Sequence, residues 1–252
     1  MTQLNESPII TVERRKAITI IVAAVIMSLA IGGGLMQVGS GFASRSSDGI
    51  TVTGSAKTTA TADNAVWVLN VSLSSPTVAT AVKKVDADVA ALSKYLTEGG
   101  IAAQGLTLGA VATFANEEYI NGNATGRILS YRATREVTVR SKDVQLVSKL
   151  SQGIGTLLAT GINANNYGPA YYISNLPELR PQLMAEAMKD AKVRAEALTK
   201  AVGGNIGALV NVKAGPIQIT TPYSTMTADY GAYDTSTIEK TVTATVSVTF
   251  KS

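Results

Sequence analysis

Residues 241–250 read TVTATVSVTF and form the most regular pattern in the chain. Every second side chain is apolar, and the side chains between them carry hydroxyl groups. Strict alternation of this kind predicts a β-strand with one face on a core and the other toward water. Because antiparallel sheets commonly have one buried and one solvated face, other elements are expected to cover the apolar side. The apolar positions are Val242, Ala244, Val246, Val248 and Phe250.

The same alternation recurs earlier in the chain. It predicts a strand beginning at Ile50 and a second strand around Trp67, with Asp63-Asn64 as the turn between them. Further predicted strands cover residues 106–111, 128–140, 162–174 and 206–212. The polar segment 116–126, rich in Asn and Gly, is predicted to be a loop that joins a hairpin.

Three stretches between these strands have helical periodicity instead. The first begins near Pro76 and ends at Gly99-Gly100, and the third begins after Asn175 or Pro177 and ends at Gly203-Gly204. The pattern predicts an α+β fold, with a largely antiparallel sheet and amphipathic helices packed on one face. The predicted apolar faces are Val78, Val82, Val85, Val89, Leu92 and Leu96; then Val144, Val147, Leu150, Ile154 and Leu157; then Leu183, Met184, Ala187, Met188, Ala191, Ala195, Leu198 and Val202.

The chain contains no Cys and no His, which removes several chemistries. Thiolate nucleophiles, Ser-His-Asp triads and His- or Cys-ligated metals are excluded. Glu117 and Glu118 could pair with Asp229 or Asp234, but these carboxylates fall in predicted polar loops where charge is usually just solvated. We therefore expect no enzyme activity, no catalytic residues, no metal and no cofactor.

The net charge of +4 is too diffuse to indicate a nucleic-acid partner. Three basic and two acidic residues precede residue 17, which leaves 19 basic residues against 16 acidic ones in the rest of the chain. A nucleic-acid site needs a concentrated basic surface. We therefore expect none.

Residues 17–36, AITIIVAAVIMSLAIGGGLM, include no charged residue. Twenty helical residues span about 30 Å, the thickness of a bilayer core. This predicts a cytoplasmic tail (1–16), a transmembrane anchor (17–38), a linker (39–49) and an outer domain (50–252). Arg14, Arg15 and Lys16 place the N-terminus in the cytoplasm, so the outer domain of this single-pass protein of the cytoplasmic membrane is periplasmic or extracellular.

Two alternatives concern this segment. A cleaved signal peptide is the competing interpretation, with Gly41-Phe42-Ala43 as its cleavage site, although the apolar run is longer than usual for such peptides. Within a retained anchor, Ala24, Ser28 and Gly32 recur every fourth residue and could let two helices approach closely. Small residues are also simply common in such helices, so their spacing leaves both interpretations open.

Two Tyr-rich stretches are candidate interaction surfaces. Residues 222–233, PYSTMTADYGAY, lie in a long polar segment, which is usually either functional or disordered. Tyr223, Met226, Tyr230 and Tyr233 belong to residue types favoured in interface cores, so they are candidate oligomer contacts. Residues 165–172 bring three further Tyr close together, either as a binding surface or as strand aromatics packed on a helix.

Several stretches in order resemble the SIMPL-domain family of bacterial envelope proteins, also called oxidative-stress-defence proteins. They are ITVTG at 50–54, LSYRA at 129–133 leading into VTV at 137–139, and AEAMKDAKVRAEALTKAVGGNIGALVNV at 185–212. The segment before the last strand departs from the family, being rich in Thr and Tyr where a Pro-Gly turn is common. The resemblance implies an α+β domain, an envelope location, ring-like or cage-like homo-oligomers and a link to stress tolerance, and it supplies no catalytic residues.

The resulting functional hypothesis is a membrane-anchored, non-enzymatic homo-oligomer whose partners are the lipid bilayer and copies of itself. One alternative is a binding module for a hydrophobic or lipid-like ligand, which requires a sizeable apolar pocket. The other is a pore-forming assembly of the anchors. That alternative is weakened because residues 17–36 offer only Thr19 and Ser28 as polar lining.

Overall fold

The computed structural model describes residues 49–251. The predicted anchor, its Ala24, Ser28 and Gly32 positions, and the basic Arg14, Arg15 and Lys16 cluster lie outside the described residues. Among residues 49–251, no helix combines the length and the apolarity needed to cross a bilayer.

The described chain forms ten strands and four helices. In chain order they are β1 (Gly49–Thr61), β2 (Asn64–Ser75), α1 (Val78–Glu98), β3 (Leu106–Leu108), β4 (Ala112–Ile120), β5 (Asn123–Ser141), α2 (Val144–Gly153), α3 (Gly155–Leu158), β6 (Ala164–Asn166), β7 (Ala170–Tyr172), α4 (Leu176–Ala201), β8 (Leu209–Ala214), β9 (Gln218–Thr220) and β10 (Glu239–Lys251). The α+β class and the antiparallel pairing are confirmed.

The strands divide into two antiparallel sheets, where the sequence pattern predicted one. The first sheet has the order β1-β10-β8, with β9 also paired to β10, and the second has the order β3-β5-β2-β6, with β4 on β5 and β7 on β2. The predicted turn at Asp63-Asn64 is therefore wrong. At that point the chain crosses from one sheet to the other, and the Ala62 and Asp63 amides donate to the Ile238 and Tyr172 carbonyls.

Each sheet is covered by its own helices. In the second sheet, Trp67, Leu69 and Val71 of β2 are fully buried with the inner face of α1. Helix α1 begins after Thr77, whose hydroxyl accepts a hydrogen bond from the Thr80 amide, and it ends at Gly99. The predicted face of α1 is confirmed for Val85, Val89, Leu92 and Leu96, whereas Val78 is exposed because it stands at the first turn.

In the first sheet, the apolar residues of β10 pack against α4. All five alternating positions from Val242 to Phe250 are buried. On α4, Leu183, Ala187, Ala191 and Ala195 face this sheet. The prediction for the end of this face was wrong, since Leu198 and Val202 are exposed.

Three segments differ from the predicted boundaries. The second helix is interrupted at Ile154, which caps α2 and precedes α3. The predicted strand 162–174 is two short strands that pair with different parts of β2. The predicted loop 116–126 is instead part of the β4–β5 hairpin, with its turn at Asn121-Gly122, where both residues have positive φ.

Candidate functional site

The segment between β9 and β10, residues 221–238, holds the four predicted contact residues. We call it the tyrosine loop. Residues 222–233 had two interpretations, a subunit contact or a disordered loop. The structure ties the tyrosine loop to the body of the domain at two points, one at Ala228 and Ala232 and the other at Asp234.

The first anchor is the Gln218 side chain, which is buried under the loop. Its Nε2 donates to the Ala228 carbonyl at 2.6 Å, and its Oε1 accepts from the Ala232 amide at 2.7 Å and from the Ala228 amide at 3.3 Å. One amide side chain thus satisfies three backbone groups that would otherwise face solvent. The Ile219 amide adds a 2.7 Å bond to the Ala232 carbonyl.

The second anchor is a polar cluster around Asp234 and Lys240. Lys240 is fully buried, and its Nζ donates to the Asp234 carbonyl at 2.6 Å and to Asp234 Oδ2 at 3.1 Å. Ser236 and Thr237 donate to the same carboxylate from both backbone and side chain. Burial raises the pKa of Asp234, but these hydrogen bonds and Lys240 outweigh burial and hold that pKa well below its usual range.

Around these anchors, the loop presents apolar side chains to solvent. Tyr223 and Tyr230 are fully exposed, Met226 is 77% exposed and Tyr233 is 44% exposed. Tyr223 has φ +63°, a conformation rarely adopted by a bulky residue. Such strain persists only where the surroundings enforce it, and it concentrates at functional positions.

A second exposed apolar surface is the distal part of the β4–β5 hairpin, residues 112–130, which we call the arm. Strand β2 pairs with β5 only from Tyr131 to Ser141. The earlier residues of β5 pair with β4 alone, so from Asn116 onward the arm is a two-stranded ribbon, whereas residues 112–115 pair with the part of β5 that also pairs with β2. Its large apolar side chains are between 38% and 65% exposed: Phe114, Tyr119, Ile120, Ile128 and Leu129.

The sequence pattern predicts the hairpin but places its loop over residues 116–126, whereas both strands continue to a tight turn. The signal for it was Asn121-Gly122, the dipeptide most typical of a tight hairpin turn. Tyr119 and Ile120 before it, and Ile128 and Leu129 after it, indicate strands that continue to the turn. Apolar residues on both faces of a strand are also typical of strands that are covered by other groups on both sides.

The four candidate carboxylates take separate roles. Glu118 forms an ion pair with Arg127 across the arm at 3.2 Å, whereas Asp234 belongs to the second anchor. Glu117 is an exposed residue of β4, and Asp229 lies in the tyrosine loop. Within residues 49–251, no group of three or more acidic side chains is arranged to hold a metal ion.

The Tyr-rich stretch at residues 165–172 is divided by the fold. Tyr171 is buried in the core of the second sheet, as expected for a strand aromatic. Tyr167 is 91% exposed in the connection between β6 and β7. Trp67 Nε1 donates to Asn166 Oδ1 at 2.9 Å, so Asn166 satisfies the one polar group of the buried Trp67 side chain.

No curated protein matches the chain. The model of the SIMPL family, described as a protein of unknown function (DUF541), matches residues 50–250, which is well over half of the chain. The match begins at the second residue of β1 and ends one residue before the end of β10, so it includes both sheets, the arm and the tyrosine loop. The chain therefore belongs to the SIMPL family.

Proposed function

We propose that this protein is a non-enzymatic self-assembling domain, held at the outer face of the cytoplasmic membrane by its N-terminal segment. The observation that carries the proposal is the arm. An isolated two-stranded hairpin is only marginally stable in water. The two-stranded part of the arm nevertheless exposes Tyr119, Ile120, Ile128 and Leu129, and Phe114 is exposed at its base, a pattern that marks interaction sites.

A second copy of the chain is the occupant that we propose for the arm. The arm has 19 residues, close to the roughly 20–30 residues that each partner contributes to a standard interface. Glu118 is neutralised by Arg127, which leaves Glu117 as the one unpaired charge of the arm, so repulsion between two arms is small. Tethering to a membrane would raise the effective concentration of the copies, so that a modest interface suffices for assembly.

The tyrosine loop is the second contact in this proposal. Association costs free energy when a flexible loop must be ordered, and the Gln218 and Asp234 anchors reduce that cost in advance. Tyr223 and Tyr230 offer large contact areas with few rotatable bonds. An arm and a loop on different parts of one chain would form head-to-tail contacts, which close into rings when the rotation permits.

The absence of a catalytic role in this proposal rests on the composition. Without His or Cys, a catalytic site would have to use carboxylates, Lys or Tyr. The four candidate carboxylates are dispersed or engaged in structural hydrogen bonds.

The family resemblance also implies a link to stress tolerance. In this proposal, that link would reflect what the assembly protects or organises. Deleting the gene and exposing the cells to oxidants tests it.

The test is the particle mass of the detergent-extracted full-length chain. We expect a discrete oligomer for the natural chain and a smaller particle when Phe114, Ile120 and Leu129 are all changed to Ser. The matched control changes Val193 and Leu198 to Ser, which are comparably exposed on α4. A monomeric natural chain would refute self-assembly, whereas an oligomer that the arm substitutions leave unchanged would refute the role of the arm.

A further inference from the structure

A cavity of about 560 Å³ opens between the N-terminal half of α4, β9 and the tyrosine loop. Its volume lies within the range of about 300–1,000 Å³ that is typical of small-molecule sites. Its lining is mostly apolar, as it is in such sites. The large apolar side chains around it are Leu176, Met184, Ile217, Ile219, Tyr230 and Tyr233.

Arg180 is the one charged residue in the cavity lining. It stands one turn from Leu176 and one turn from Met184 on α4, the spacing that places three side chains on the same side of a helix. Among residues 49–251, Arg180 has neither a carboxylate within ion-pair distance nor a side-chain hydrogen bond, unlike Arg127, Arg135 and Arg194. A guanidinium at the rim of an apolar cavity is therefore free to bind an anion in a forked, two-bond geometry.

The wall opposite α4 is fixed before any ligand arrives. Ile219 pairs with Tyr233 in an isolated parallel bridge, and the Asp234 amide donates to the Ile219 carbonyl at 2.8 Å. The Tyr233 hydroxyl accepts a hydrogen bond from the Ile173 amide at 3.1 Å, which holds its ring beside Tyr172. Gly231 has φ +92°, and a Cβ there would lie 2.9 Å from the Ile217 carbonyl oxygen, so this turn requires glycine.

We infer that this cavity binds an anionic amphiphile, a molecule with an apolar chain and one carboxylate or phosphate head. The chain would lie against Leu176, Met184 and Ile217, and the head would pair with Arg180. The cavity lining contains no acidic side chain to repel that head. The site shares Tyr230 and Tyr233 with the proposed loop contact but includes no residue of the arm, so the arm substitutions test self-assembly without altering the cavity.

Photolabelling of the full-length chain in phosphatidylcholine nanodiscs tests this inference. The probe is a fatty acid carrying a diazirine in its chain, and labelled residues are mapped by mass spectrometry after proteolysis. We expect label on peptides containing Met184, residues 216–219 and residues 230–233. The unlabelled fatty acid should remove it, and the fatty alcohol of equal chain length should not.

Two variants and one control make the test specific. Because Arg180→Ala removes the charge-assisted hydrogen bonds to the head, it should reduce cavity labelling about tenfold. Ala214→Phe should abolish it by filling the cavity from the exposed strand β8. Lys189→Ala removes an exposed charge from the same helix outside the cavity and should have no effect.

A diazirine-bearing phosphatidylglycerol, used in the same nanodiscs, distinguishes the source of the amphiphile. Stronger cavity labelling by this lipid would place the source in the bilayer, and stronger labelling by the fatty acid would indicate a free ligand. Two results would overturn the inference. One is labelling that simply increases with the surface exposure of each peptide, and the other is cavity labelling that is unchanged in both Arg180→Ala and Ala214→Phe.

Discussion

Gly54 of β1 lies directly against Ala191 of α4. A Cβ built on Gly54 would come within 2.7 Å of the Ala191 Cβ, which is closer than real side chains approach. The next residue strengthens the contact, because the Ser55 amide donates to Asp190 Oδ2 at 2.8 Å. Helix and sheet thus meet backbone to backbone at this point, and the small side chains of Ala187, Ala191 and Ala195 are what permit the close approach.

Gly54→Val should therefore destabilise the fold strongly. Overpacking a filled core costs about 1–3 kcal/mol, and here the obstruction is backbone that cannot rotate away. Thermal unfolding followed by circular dichroism measures the change. Gly155→Ala is the control, since a Cβ there would meet open space, and an equal loss of stability in both variants would contradict this account.

The Asp234 cluster should make the fold sensitive to acid. Because the folded pKa of Asp234 lies below its unfolded value of 3.8, its ionised form stabilises the fold at every pH above that value. This contribution is lost as the pH falls below 3.8 toward the folded pKa. Asp63, whose pKa is lowered mainly by the Ser174 hydroxyl, acts in the same direction.

The measurement is the free energy of unfolding between pH 7 and pH 2. Asp234→Asn should unfold more easily at pH 7 and should show a shallower loss of stability below pH 4 than the natural chain. The loss of stability with falling pH that remains in Asp234→Asn should be shallower still in the double variant Asp63→Asn/Asp234→Asn. If Asp234→Asn keeps the full slope, the cluster is not the source of acid sensitivity.

Gln218→Ala should release the tyrosine loop without unfolding the domain. The amides of Ala228 and Ala232 lose the acceptor that they share, so their hydrogen exchange should accelerate. The same variant leaves the Ala228 carbonyl without its donor. Exchange across β10 should stay slow. Gln152→Ala, on the exposed end of α2, is the control and should leave exchange in the loop unchanged.

Tyr223→Gly should stabilise the isolated fold while weakening assembly. Glycine adopts positive φ freely, so the substitution removes strain of about 1 kcal/mol at a side chain with no contacts to lose. If Tyr223 is a subunit contact, the oligomer should dissociate at a higher concentration than the natural chain does. Tyr167→Gly, which removes another exposed Tyr outside both the arm and the tyrosine loop, is the control and should leave assembly unchanged. A Tyr223→Gly variant that assembles normally would remove Tyr223 from the interface.

Local pattern predicted the elements that bury one face. The β10 strand and helix α1 were located closely, because alternation and helical spacing each follow from one side contacting a core. Prediction failed for the arm, since the apolar side chains of that ribbon have no single buried face to define a period. It also failed for Leu198 and Val202, which keep the helical spacing of α4 but extend past the sheet that α4 covers.

By itself, the sequence determined the α+β class, the antiparallel strands, the small-residue face of α4 and the exclusion of His- and Cys-based chemistry. These are properties of neighbouring residues and of composition. Only the tertiary structure decided that Ala62 and Asp63 carry the chain between two sheets, that Gln218 and Lys240 anchor the tyrosine loop, and that Arg180 stands alone in an apolar cavity. Each of these depends on groups distant along the chain, and the geometry that brings them together is set by packing rather than by any local period.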